Sequence, residues 1–381
     1  MHRIFAVVVL SIITSSLRAQ PDTIAVPVFT DAIQAGRSTI AQTMDDRQIP
    51  GMSVSMRIGG NLVWSEAFGL ASVEHQVPAT RDTRFRLASI SKVFTGTLAG
   101  RLAARGVLDL DADVREYEPR FPEKDEGVVT TRQILAHTSG IRHYIPRDRT
   151  QAVPGGVIDV RRYPTVGGAL MIFREDPLLF EPGSDRSYST FAFTLAQAVI
   201  EKATGETFGD LIEREISGPL GLESIVLDKW DEFVPNRTDF FTLVESADGT
   251  ERLTPALPLN NAYKFAGGGL IGTPDDLTAF GAAHLQPGYL DAQTHELVFT
   301  PYTMTAGENA GKEINIGLAW QMRPDGLGGT MYYHGGSQTG TRCLLVIIPQ
   351  AQLSFAIMSN TTDEPGGIEA VTQRILGGFL R

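Results

Sequence analysis

The chain has 381 residues, a formal net charge of −11, 42% hydrophobic residues and 20% charged residues. A chain of this length buries a large core in one domain or two closely joined ones, and its composition excludes disordered and fibrous classes. The acidic balance argues against nucleic acid and anionic membrane surfaces as partners, because both attract a clustered basic excess.

In chain order, the stretch MHRIFAVVVLSIITSSLRAQ sets His2 and Arg3 before an apolar run over residues 4–13 and a small polar stretch ending at Ala19. That order predicts a cleaved export signal over residues 1–19 and a mature domain over 20–381, periplasmic or secreted. A mitochondrial presequence is the alternative reading of the same acid-free, Ser-rich stretch. The apolar run is well short of the roughly 20 residues that cross a bilayer, so no stable membrane insertion is expected after cleavage.

Residues 31–46 carry helical spacing. MSVSMRI and LVWSEAFG then alternate around Gly59-Gly60 and predict a β-hairpin. From residue 86 the texture changes, with helices expected over 89–105, 131–137, 190–204 and 277–284. The third is capped by Ser189 or Thr190 and stopped by Gly205. Strands return in INIGLAWQM, GTMYYHGG, RCLLVIIP and LSFAIMSN, before a last helix over 367–380. The expected architecture is α/β (α+β). Both chain ends, about 31–85 and 305–381, build one antiparallel sheet flanked by helices, and a mainly helical region, about 86–304, is inserted between them.

The segment FRLASISKVFTG carries the chemistry. Ser89 and Lys92 are three apart at a helix start and project from one face. A serine hydroxyl attacks a carbonyl only if a base takes its proton, and a lysine held against it, or a neighbour it tunes, meets that need. A helix N-terminus also adds partial positive charge where an oxyanion forms. Ser-x-x-Lys alone is a common spacing, so companions matter. Tyr188 in RSYST stands directly before a helix. Its phenol, with an ordinary pKa near 10, serves as a base only beside a cation such as Lys92. His334 in MYYHGGSQTG ends a strand, and Gly335-Gly336 let a substrate approach the strand edge closely. The Ser337 backbone N–H would then join that of Ser89 as an oxyanion donor.

Other signals are set aside. Cys343 is the only cysteine, which excludes an intramolecular disulfide and a Cys-based zinc site, and LLVIIP surroundings make it a buried small hydrophobe. Gly267-Gly268-Gly269-Leu270-Ile271-Gly272 satisfies G-x-G-x-x-G without the preceding buried strand of a dinucleotide site. Asp109, Asp111 and Asp113 imitate a calcium loop but lack its central glycine and final glutamate. His137 and His143 do not have zinc spacing, and His137 is expected to brace a loop. No metal and no organic cofactor are expected.

The order Ser-x-x-Lys, then Tyr-x-Thr, then His-Gly-Gly, together with TRQILAHTSGI, RGVLDLDADVREYEPRF, EPGSDRSYS and FAGGGLIGTPDDL, resembles the serine β-lactamase-related family over nearly the whole mature chain. That family includes class C β-lactamases, D-Ala-D-Ala carboxypeptidases, esterases and D-amino-acid peptidases. The SISK and YST spellings are similar to its mitochondrial serine β-lactamase-like branch and bacterial relatives. The resemblance implies Ser89 as acyl-enzyme nucleophile and Lys92 with Tyr188 as a coupled proton-transfer pair, either one being the base. His334 stands where many members place the lysine of Lys-Thr-Gly, and Thr190 where many place the asparagine of Tyr-x-Asn; Ser337, Gly336 and Thr190 are the expected oxyanion and substrate-binding residues. The expected activity is therefore hydrolysis of an ester, amide or small peptide through an acyl-enzyme, with slow acylation by β-lactams. The alternatives are a D-Ala-D-Ala carboxypeptidase or D-amino-acid peptidase, a weak β-lactamase, and a filament-forming structural protein of the same fold. An oligomer is compatible with each. If His334 anchors a substrate carboxylate, affinity for it should rise below about pH 6.5, the ordinary imidazole pKa.

Overall fold

Both ends of the chain meet in one sheet. The computed structural model describes residues 22–149, 158–246, 249–362 and 366–380; the expected export signal lies outside them. The principal helices are α1 (Thr30–Asp46), α2 (Ser91–Ala104), α3 (Thr190–Thr204), α4 (Pro274–Ala283) and α5 (Gly367–Phe379). The principal strands are β1 (Gly51–Ile58), β2 (Asn61–Ser72), β3 (Gln321–Pro324), β4 (Thr330–Gln338), β5 (Thr341–Ile348) and β6 (Leu353–Ser359). Across the sheet the order is Ile24–Ala25, β2, β1, β6, β5, β4, β3, every pair antiparallel. The β1–β2 turn is Gly59-Gly60, with φ of 57° and 80°, a conformation that glycine adopts without steric cost.

β5 and β6 are mostly apolar because both faces of the sheet are covered, and the serines of β1, Ser53 and Ser55, are buried with them. Val54, Met56, Val346 and Phe355 face α1 and α5. Leu345, Ile347, Ala356 and Met358 face the opposite way, into the core shared with α2 and α4. Trp64 on β2 seats α1 through Gly36, where a Cβ would stand 2.6 Å from the indole.

Helix α2 runs through the middle of the inserted region and is buried on almost every side. Such a helix lacks an amphipathic stripe. It also explains a departure from the expected strands. INIGLAWQM is not one strand: Glu313–Ile314 and Gln321–Pro324 are extended, but the intervening residues turn. Ala319 has φ 68°, and the turn sinks onto α2, where a Cβ at Gly96 would meet the Leu318 carbonyl at 2.0 Å. The apolar run fills the core beside a helix instead of continuing a ladder.

The inserted region also holds strands that its texture did not announce. Phe241–Glu245 pairs with Glu251–Pro255 and with Thr361–Thr362, and Leu270–Gly272 pairs with Phe85–Arg86 and Val226–Leu227. These strands are short, and the Glu251–Pro255 strand is largely exposed, so no burial pattern marked it. In the acidic turn, Asp111 pairs with Arg132, and Asp113 accepts from the Arg115 N–H.

Candidate active site

The chain enters α2 through a bent elbow. Ala88 has φ 45°, a left-handed conformation that costs a residue carrying a Cβ about 1–2 kcal/mol. The short 3₁₀ turn Ala88–Ile90 follows, so Ser89 precedes the α-helix proper instead of opening it as expected. The elbow is held from three sides. Leu87 N–H donates to the Leu270 carbonyl at 2.9 Å, Cys343 Sγ donates to the Leu87 carbonyl at 3.1 Å, and β4 passes directly beneath. Only glycine fits at Gly336 there, because a Cβ would stand 2.3 Å from Cys343 Sγ and 2.4 Å from the Leu87 carbonyl oxygen.

Ser89 is half-buried at the elbow, and Lys92, one turn on, is fully buried. Lys92 Nζ lies 3.2 Å from Ser89 Oγ, 3.2 Å from Thr190 Oγ1 and 2.5 Å from the Gly267 carbonyl oxygen. Tyr188 Oη donates to Ser89 Oγ at 2.7 Å. The expected trio is thus assembled on one oxygen, and Thr190 joins it from the first turn of α3.

Burial dominates the electrostatics. It pushes the Lys92 ammonium well below its usual range, and the nearby Lys264 pushes the same way. It pushes the Tyr188 phenol up to about 12, against the pull of its polar neighbours Ser89 and Thr190. Of the two candidate bases left open by the sequence, burial thus biases the Lys92 amine toward neutrality and the Tyr188 phenol toward keeping its proton. Burial also lowers the His334 imidazole to about 3, which runs against the conditional expectation of a carboxylate anchor gaining charge below about pH 6.5. Its Nδ1–H donates to the Gly335 carbonyl at 2.6 Å, which leaves Nε2 as an acceptor.

The segment before α3 is clamped by residues 137–143. Ser189 Oγ donates to the Arg142 carbonyl at 2.8 Å and caps α3 by accepting from the Ala192 N–H. Thr190 N–H donates to His143 Nδ1 at 3.2 Å, and Ser189 N–H to His137 Nδ1 at 3.2 Å. His137 braces this loop, as expected from the sequence.

A cavity of about 510 Å³ opens over Ser89, lined among others by Tyr188, Thr190, Lys264, His334, Gly336 and Ser337. All seven sequence-predicted site residues lie at this one place. The structure adds the Gly267 carbonyl, Lys264, His143 and Tyr144. Gly267 was visible only as part of a glycine run; it closes the short helix Phe265–Gly268 against α3, where a Cβ would meet the Thr190 methyl at 2.8 Å. Lys264, in NAYKFAGGG, had no motif to mark it.

Comparison with known proteins supplies the family. Residues 37–378 match the family described as Beta-lactamase. The human "Serine beta-lactamase-like protein LACTB, mitochondrial" is 29% identical over 90% of this chain and 76% of its own. "Esterase EstB" of Burkholderia gladioli is 32% identical over 65% of this chain and 69% of its own. Among solved structures, a D-stereospecific amidohydrolase from Streptomyces sp. superposes with a TM-score of 0.71 at 25% identity, covering 92% of this chain and 98% of that one. With a family match over most of its length and a fold shared with such hydrolases, the chain belongs to the Beta-lactamase family.

Proposed function

We propose that the protein is a serine hydrolase that cleaves an ester or amide of a small acyl or peptide substrate through an acyl-enzyme on Ser89. The observation that carries this reading is the convergence of Tyr188 Oη and Lys92 Nζ on Ser89 Oγ, at 2.7 and 3.2 Å. A neutral amine has two N–H donors and one lone pair. Its donors are engaged by Gly267 and Thr190, so the lone pair turns to the Ser89 hydroxyl.

In this mechanism Ser89 Oγ bonds to the substrate carbonyl carbon while its proton passes to Lys92 Nζ. The carbonyl π pair moves onto oxygen, facing the backbone N–H groups of Ser89 and Ser337. Collapse breaks the bond to the leaving alkoxide or amine, which takes the proton of Tyr188 Oη. Thr190 returns a proton to Tyr188 and recovers one from the Lys92 ammonium, so the circuit closes. Water then repeats the sequence in reverse and frees Ser89.

The names of the esterase and the amidohydrolase relatives keep both ester and amide within this reading. A neutral His334 and a single hydroxyl at Thr190 offer a β-lactam neither a fixed cation nor an amide group, so acylation by β-lactams is slow. The deciding experiment is intact mass after incubation with a fluorophosphonate, comparing wild type with Ser89→Ala. One probe-sized adduct that vanishes in the variant supports the reading, and a folded wild type with no adduct overturns it.

A further inference from the structure

We infer that His137 is the positioning residue that fixes Tyr188 over Ser89, by taking the backbone N–H groups on both sides of that tyrosine. The inference rests on the hydrolase reading above. Ser187 N–H donates to the His137 carbonyl at 3.0 Å, and Ser189 N–H donates to its Nδ1 at 3.2 Å. Between these two anchors, the Tyr188 ring lies 4.4 Å from the imidazole, tilted by 33°. One residue therefore restrains the Tyr188 backbone before and after, and the ring on one face.

The arrangement sets demands on residue 137. Its φ is 61°, a region that histidine enters rarely and asparagine and glycine enter more readily. An Nδ1 that accepts carries no proton, so the imidazole proton is on Nε2. A protonated ring would present a donor to the Ser189 N–H and lose the anchor. Burial holds the imidazole well below its ordinary range, which keeps the acceptor in place. Ser89 Oγ is engaged by Tyr188 and Lys92, not by His137, so His137 acts through Tyr188. The first N–H groups of a helix have no partner within it, and Tyr188 stands just ahead of α3. Without His137 the segment would lose the acceptor that holds the α3 entry at Ser189.

The test is the second-order rate of Ser89 phosphonylation by a fluorophosphonate, followed by intact mass. The variants are His137→Gly and His137→Asn, each made alone and in a Tyr188→Phe background. Glycine tolerates the backbone while deleting the ring and acceptor; asparagine tolerates it and offers Oδ1 near the place of Nδ1. A displaced catalytic group of this kind costs on the order of 100-fold, so His137→Gly should slow labelling by about that factor and His137→Asn by less than about fivefold. In the Tyr188→Phe background, where no phenol remains to be placed, His137→Gly should change the rate by less than about twofold. An equal loss in both backgrounds, or an asparagine variant as slow as the glycine variant, overturns the inference. If His137→Gly shows no cooperative thermal transition, His137→Ala, which also lacks the acceptor, takes its place: labelling slower than that of the asparagine variant only where Tyr188 is present supports the role, and an equal loss in both backgrounds refutes it. Wild type that takes no adduct overturns the hydrolase reading itself, whereas an adduct formed at a rate indifferent to residue 137 overturns only the positioning role.

Discussion

Lys92 Nζ stands 2.5 Å from the carbonyl oxygen of Gly267, and that contact orients the amine. The carbonyl accepts and never donates, so one N–H is committed to it and the lone pair is free to turn toward Ser89. Burial favours the neutral amine, since a desolvated ammonium is costly. The pH dependence follows from the sign of that shift. Activity is present above the lowered Lys92 pKa and is lost as pH falls through it. Tyr188, held at about 12, stays protonated through the alkaline range. The rate of fluorophosphonate labelling should therefore show a single acidic limb and then a plateau up to at least about pH 9. A second limb falling between neutrality and pH 9 would mean that Lys92 is needed as an ammonium, with Tyr188 as the phenolate beside it.

Thr190 tests the proposed circuit. Its hydroxyl lies 3.2 Å from Lys92 Nζ, and the proposed circuit makes it the link between the group that gains the serine proton and the group that supplies the leaving group. Thr190→Val keeps the shape and removes the hydroxyl; Thr190→Ser keeps the hydroxyl. Loss of one positioned proton-transfer group costs about 10²–10⁴-fold, so hydrolysis of p-nitrophenyl esters should fall into that range in the valine variant and stay within about tenfold of wild type in the serine variant. Equal activities would remove Thr190 from the proton path.

Gly336 tests the contact between β4 and the elbow. A methyl there overlaps a backbone oxygen, that of Leu87, which no rotamer change relieves. Gly336→Ala must push β4 away from the Ala88 turn. Overpacking of this kind costs about 1–3 kcal/mol, and the Ser337 N–H moves with the strand. The variant should melt a few degrees lower and acylate Ser89 at least about tenfold more slowly, the lower end of what losing an oxyanion donor costs. Wild-type acylation would show that β4 does not contribute to the oxyanion site.

Ser-x-x-Lys, Tyr-x-Thr and His-Gly-Gly were legible because each binds chemistry to a short spacing, and the paired chain ends were legible because both read as apolar strands. What stayed hidden is informative. The Gly267 carbonyl is a backbone group, to which no side-chain pattern points. His143 and Lys264 reach the site from loops whose spacing carries no chemistry. The Ala88 elbow depends on Leu270, Cys343 and Gly336, all more than 180 residues away. The turn at Ala319 was misread as strand because an apolar run buried against a helix has the same composition as a buried strand. Protonation was hidden too: the ordinary values for lysine and histidine shift where Lys92 and His334 are buried together, and no spacing in the sequence shows that burial.

His334 gives the last test. In the sequence it stands where a cation would hold a substrate carboxylate, and an exposed histidine would do so below about pH 6.5. In the fold it is 1% exposed and held at about 3 by burial. Its charged form is thus absent from pH 5 to 8, and the affinity for a carboxylate gains nothing from it on acidification. Two p-nitrophenyl esters, one with a neutral acyl chain and one ending in a carboxylate, separate this effect from titration of Lys92, which touches both substrates alike. The ratio of their KM values should stay constant within about twofold from pH 5 to 8. A carboxylate preference that grows about tenfold toward pH 5 would place a proton on His334 and reinstate the imidazolium as the anchor.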